Sequence, residues 1–217
     1  MTRIAPLLSA CLLATLPSAG TAAAEEFQCP GEASMHGAAP PEGNKAWCEL
    51  PDGTQHGPSM SWYEEGRPMA EAHFDEGKLD GVFKLWHANG QLAEEGFYSA
   101  DQRNGTFSTW SEDGVKLLEQ HFENGKRNGE MKRWFSNGQL QFLEHYVDGK
   151  KDGPAVAYFE NGQKEAEGVF RKGNFHGVWT GWYPSGAKRK VAEFVDGDQI
   201  SIEEFPEATS IEAPAGD

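Results

Sequence analysis

The chain has 217 residues and carries 34 acidic against 19 basic side chains, a formal charge of −15 at pH 7. An acidic field of that size repels nucleic acid, which is excluded as a partner, and works against anionic lipid. Hydrophobic residues make up only 38% while aromatics reach 12%, a balance that argues against a thick aliphatic core and suits a thin sheet held by rows of rings.

Residues 1–24 open with Arg3, run through Ile4, Leu7, Leu8, Cys11, Leu12, Leu13 and Leu16, and finish in Ala22-Ala23-Ala24. This is the layout of a secretory signal peptide cleaved after Ala24, so an exported, periplasmic or secreted protein is expected, and the apolar run is too short to span a bilayer. A second reading takes Leu8-Ser9-Ala10-Cys11 as a lipobox that lipidates Cys11 and anchors the chain. Removing a leader whose one charge is Arg3 takes the net charge to about −16. Cleavage leaves Cys29 and Cys48, and an even pair in an oxidising compartment predicts one disulfide. It would close a loop of about 20 residues and contribute on the order of 3 kcal/mol.

Residues 25–56 form an N-terminal lead-in. Glu25 to Pro41 is rich in Gly, Ala, Pro and Glu without a period and reads as irregular. Gly43 to His56 reads as the second half of a degenerate repeat, because adding two periods carries Trp47, Leu50 and Gly53 onto Glu95, Tyr98 and Asp101. Such a half copy would cap the array, as terminal repeats do.

From 57 to 200 the chain repeats. Units open at Gly57, Gly81, Gly105, Gly129, Gly153 and Gly177, a period of 24 residues without a gap. The sixth residue of each is aromatic (Trp62, Trp86, Trp110, Trp134, Tyr158, Trp182), and a glycine follows four residues later. In three units that glycine is preceded by Asn (Asn89, Asn137, Asn161), and Asn-Gly between apolar-containing runs predicts a hairpin with a type I′ turn. A second aromatic (Phe74, Tyr98, Phe122, Tyr146, Phe170, Phe194) precedes a second turn that leads straight into the next unit. Short turns exclude parallel crossovers, and no window shows a helical period. The expected fold is all-β, an elongated single-layer antiparallel β-meander of six hairpin repeats, with strands about 4.8 Å apart. Residues 201–217 read as an acidic tail, with Ile200, Ile202 and Phe205 placed to add one last strand over the open edge.

The periodic pattern at Gly-x4-aromatic-aromatic-x-Asn-Gly-x4-Glu-x2-aromatic-x2-Gly resembles the MORN repeat proteins, in particular the bacterial YwqK-type variant described as antitoxins. The resemblance implies an elongated β-meander that acts as a protein scaffold, in some members as a membrane-associated module. An export signal fits poorly with neutralising a cytoplasmic toxin.

No catalytic signature is present: there is no Gly-x-Ser-x-Gly, no phosphate-cradling loop followed by Lys-Ser/Thr and no His-Glu-x-x-His. His73, His121 and His145 share one repeat position, but equivalent positions lie about 9.6 Å apart, too far for one ion held at about 2.0 Å. No metal or cofactor is expected. Glu71, Glu95, Glu119 and Glu167 form a carboxylate ladder suited to a basic partner rather than to acid–base chemistry, which needs a cleft. The candidate binding residues are the rings Trp86, Trp110 and Trp134 with Glu95 and Glu119. Lys78, Arg103, Lys126, Arg127, Lys150 and Lys151 cluster at second turns and are expected to make one margin basic. The chain therefore reads as a non-enzymatic exported scaffold that binds another protein or an envelope component through its sheet faces. The alternative is a membrane-surface module that meets phospholipid through the basic margin.

Overall fold

A computed structural model of the chain describes residues 27–207. The leader with its cleavage site, Cys11 and the end of the acidic tail lie outside the described residues. The described residues form one antiparallel sheet of sixteen strands, from β1 (Ser34–Ala38) to β16 (Asp198–Glu204), in which strands pair in chain order. One irregularity interrupts that order. Beyond the second turn of repeat two the strand divides, so that short β7 (Gln102–Arg103) pairs with β6 (Leu92–Ser99) and β8 (Gly105–Trp110) resumes against the same neighbour. The sheet is therefore the expected β-meander.

Two details of the start of the chain differ from the sequence reading. The segment expected to be irregular contains β1, which pairs with β2 (Lys45–Glu49). The half copy is present but displaced by one residue: Ala46 stands opposite Met60 and Trp47 opposite Ser59, whereas in the next unit Glu71 opposes Lys84 and Ala72 opposes Phe83. The cause is a longer turn, Leu50 to Thr54, closed by Leu50 N donating to Thr54 O at 2.8 Å. A one-residue slip moves each side chain to the opposite face, so Ala46 takes the position of the glutamate ladder. Cys29 and Cys48 form a disulfide with Cα atoms 5.5 Å apart, and Cys48 is buried.

The tips do not take the type I′ turn that the sequence suggested. At the Asn-Gly tips the loop holds three residues: Gly90 N donates to His87 O at 2.8 Å and His87 N to Gln91 O at 2.8 Å. Only the glycine takes positive φ (Gly90, 89°), the pattern of a type I turn closed by a glycine bulge. Type I′ geometry instead occupies the second turns, where both central residues have positive φ, as at Asn124 (49°) and Gly125 (78°). Ala100 (47°) and Asp101 (66°) manage this without glycine. Asp101 offsets the strain with its carboxylate, which accepts from Leu79 N at 2.8 Å.

Released from turn duty, the tip asparagines join one repeat to the next. Asn89 Nδ2 donates to Glu112 O at 2.6 Å, Asn137 Nδ2 to Glu160 O at 3.1 Å and Asn161 Nδ2 to Pro184 O at 2.9 Å. Each Oδ1 accepts from the backbone two residues on, as from Gln139 N at 2.9 Å. At the opposite margin, second-turn amides reach back to the preceding repeat, as Gly149 N donates to Arg127 O at 2.8 Å. Both long margins are thus laced repeat to repeat.

One side of the sheet holds a file of rings in contact from Phe83 to Phe122. Phe83 and Tyr98 meet edge to face at 5.5 Å between centroids, Tyr98 and Phe107 at 5.3 Å, and Phe107 and Phe122 at 5.3 Å. Phe107 lies flat over Gly96, where any Cβ would collide with its ring, and is only 2% exposed. A ring laid on a strand glycine restores the packing the glycine lacks. In repeat four Tyr146 donates to Glu144 Oε2 at 2.9 Å beneath the Arg127 guanidinium, and burial, then the Glu144 bond, pushes its hydroxyl up to about 12.

Replacing Asn137 by Ala removes one bond within the tip and one to the next repeat, and should cost about 2 kcal/mol in urea unfolding at about 1 kcal/mol per bond. Because the Tyr146 pKa is raised in the folded state, its contribution to stability is present below the ordinary tyrosine value of 10.0 and is lost as pH climbs toward about 12. Thermal melts across that alkaline window should lose less for Tyr146→Phe than for the parent chain.

Candidate functional site

Strand alternation places the ring file and the glutamate ladder on opposite sides of the sheet. The second side is open and mixed. Its central row reads Glu71, Lys84, Glu95, Ser108, Glu119, Lys132 through successive cross-strand partners. Lysines or a serine separate the carboxylates, so the row is not the acidic stripe that the glutamates alone suggest. Lys84 Nζ lies 3.6 Å from Glu71, Lys132 Nζ 3.9 Å from Glu119, and Lys164 Nζ 2.5 Å from Glu167. These pairs are partly exposed and individually weak. Glu95 has Lys84 and Ser108 as cross-strand partners but, among the described residues, no ion pair.

The tryptophan row stands on this same side. Lys116 Nζ sits 5.4 Å from the Trp110 ring centroid and 6.0 Å from that of Trp134, while ion-pairing with Glu119 at 2.7 Å. One ammonium thus ties two candidate rings to one candidate carboxylate across adjacent repeats. Lys164 repeats the arrangement between Trp182, at 5.9 Å, and Glu167. A lysine over an indole is worth about 0.5–1 kcal/mol when exposed, so the row is set in place without being sealed. Trp86, Trp110 and Trp134 are all half-buried. On the same side, across Lys84 and roughly 13 Å along the strand from Trp86, Val82 and Phe97 face each other and are 40% and 43% exposed.

The histidines lie along the same side next to the ladder. His73 Nε2 is 3.7 Å from Glu71 and His145 Nε2 is 3.5 Å from Glu130, while Thr106 Oγ1 and His121 Nδ1 are 3.4 Å apart. Among the described residues no three His, Cys, Asp or Glu side chains converge as metal ligands would. Glu130 is held below the usual carboxylate range chiefly by its hydrogen bond to Lys132, and Lys132 is raised by the same contact. Nothing in the row resembles an acid–base pair in a cleft.

The six turn cations divide into two groups. Arg103 folds inward over Phe107 and Phe122, at 4.8 and 5.4 Å. Arg127 donates to Gln120 Oε1 at 2.7 Å and covers Tyr146, and Lys151 lies 4.9 Å from the Phe170 ring while bonding Glu144 at 2.5 Å. Lys78, Lys126 and Lys150 remain on the exposed margin, and Lys126 faces Asp148 at 3.5 Å. The residue after each exposed lysine therefore belongs to the ring side, as period-two alternation dictates.

The sequence reading did not isolate a cavity of about 470 Å³ on the ring side of repeats five and six. Its signal was legible: positions filled by Phe107 and Leu118 in repeat three hold Ala155 and Ala166 in repeat five.

Three segments, residues 79–100, 127–148 and 151–172, match a family model described as a MORN repeat variant. No curated protein matches the chain. The matched segments each contain one of the three Asn-Gly tips whose asparagine bonds to the following repeat. The remaining units carry Glu65-Gly66, Asp113-Gly114 or Ser185-Gly186 at that point. The chain thus carries MORN-variant repeats at these three segments, and the family match tracks the asparagine clasp.

Proposed function

We propose that this is an exported, non-enzymatic scaffold whose tryptophan side binds a protein partner bearing basic and apolar groups. The observation that carries the reading is the shared side itself: Trp86, Trp110 and Trp134, half-buried, stand on the same side as the exposed pair Val82 and Phe97 and as Glu95, which has no ion pair among the described residues. Tryptophan beside apolar surface with a carboxylate rim is the composition of a protein-binding patch. The family match supports a binding role, since MORN repeats serve as binding modules. An immunity-type scaffold in the envelope is the form of this reading that suits the leader expected at residues 1–24. The phospholipid alternative has less support, because Arg103, Arg127 and Lys151 are engaged by rings and side chains of the other side.

Capture from an envelope extract on immobilised protein tests it. Glu95→Gln with Glu119→Gln should reduce retention of the partner on the order of tenfold, with a matching loss when salt is raised. Lys150→Gln, on the margin, should leave retention unchanged. Undiminished capture by the folded double variant would sink the reading.

A further inference from the structure

The cavity of repeats five and six is on the side of the sheet away from the tryptophan row. Its floor is made of small residues, Ala155, Ala157 and Ala166 on neighbouring strands and Ala192 beyond them. Its walls are rings. Phe170, Phe175 and Trp179 pack at 4.7 to 5.0 Å between centroids. The Trp179 indole lies on Gly168, where a Cβ would collide with it, and Nε1 donates to Val169 O at 3.0 Å. The walls are therefore fixed in place and not free to collapse into the space. At about 470 Å³ the volume falls within the range of small-molecule sites.

Two cations stand at one end. A Cβ on Gly181 would lie 3.2 Å from Lys190 Cγ and 3.7 Å from an Arg189 Nη, so both side chains are drawn across the glycine at the edge of the cavity they line. Arg189 Nε is buried and has no hydrogen-bond partner among the described residues. Glu165 lines the same cavity and Glu204 opposes Lys190 across the last strand pair. Among the described residues neither forms an ion pair with Arg189 or Lys190 within 4.0 Å. Glu144, the other carboxylate on the lining, is already bonded by Lys151 and Tyr146. In a chain of charge −15, one end of this apolar cavity therefore carries two cations, one with an unbonded N–H. A buried donor left unbonded costs about 1–3 kcal/mol, and a guanidinium presents paired N–H groups that match the two oxygens of one carboxylate, here from the Nη end beside Gly181.

We propose that this cavity binds a free apolar-tailed monocarboxylic acid, with the tail over the alanine floor and the carboxylate on Arg189 and Lys190. The site is independent of the protein-binding side and stands whether or not that reading holds.

Decanoate, followed by calorimetry and by the change in tryptophan emission that Trp179 supplies, tests it. Below its micellar concentration decanoate should bind saturably at one site, about tenfold or more tighter than decanol, the range of a charge-assisted hydrogen bond. Arg189→Gln should remove that preference and leave decanol binding unchanged. Ala166→Leu should abolish both by filling the floor, and Ala157→Val serves if the larger change disturbs folding. Equal affinity for decanoate and decanol, an Arg189→Gln variant that still prefers decanoate, or binding to phosphatidylglycerol vesicles without binding of free decanoate would each overturn the proposal.

Discussion

A two-stranded hairpin with no second layer cannot bury its own apolar face, and every regularity in this molecule answers that constraint. What a hydrophobic core does elsewhere is done here between neighbouring repeats. Rings of one unit lie on the glycine or the ring of the one before, as Phe107 does on Gly96 and against Tyr98. The margins are fastened the same way, with asparagine side chains reaching forward at one edge and turn amides reaching back at the other. Stability is then a sum of nearest-neighbour terms, and a defect in one unit is felt by the units beside it.

The same constraint separates the two sides by chemistry. Cations that could have stayed on the margin, Arg103, Arg127 and Lys151, are recruited as lids over rings, where the guanidinium or ammonium covers apolar surface that no second layer protects. On the other side, lysines and glutamates interleave and hold the indoles half-covered. The first side is thereby most covered at its centre, where Phe107, Gln120, Phe122 and Tyr146 are buried. The second stays open along its length, which is why the two candidate sites differ in kind: a half-open cavity on one, an extended patch on the other.

Much of this was legible in the residues. The 24-residue period fixed the meander, the strand order and the shared side of the tryptophans, because period and alternation are properties of spacing alone. Three things were hidden for physical reasons. The tip turn type was hidden because Asn-Gly satisfies either a two-residue or a three-residue loop, and only the bond from His87 N to Gln91 O decides between them. The one-residue slip at Trp47 came from the length of the Leu50–Thr54 turn, which composition does not reveal. The glutamate ladder looked uniformly acidic because its lysines come from the other strand in two hairpins, at Lys84 and Lys132, and from position twelve, at Lys116 and Lys164, not from the same repeat position.

A tandem array has no inherent reason to end where it does. In this chain the last tip is held by the strand end and short acidic segment beyond it: Tyr183 Oη donates to Phe205 O at 3.0 Å and Ser185 Oγ to Glu207 Oε1 at 2.6 Å, while Phe205 N closes onto Arg189 O at 2.8 Å. These contacts do for repeat six what a seventh copy would have done. The length of the ribbon is thus set by its terminator and not by any unit within it. Evolution could lengthen or shorten such a protein by whole units inside the array while leaving both ends, and the chamber beside the last one, as they are.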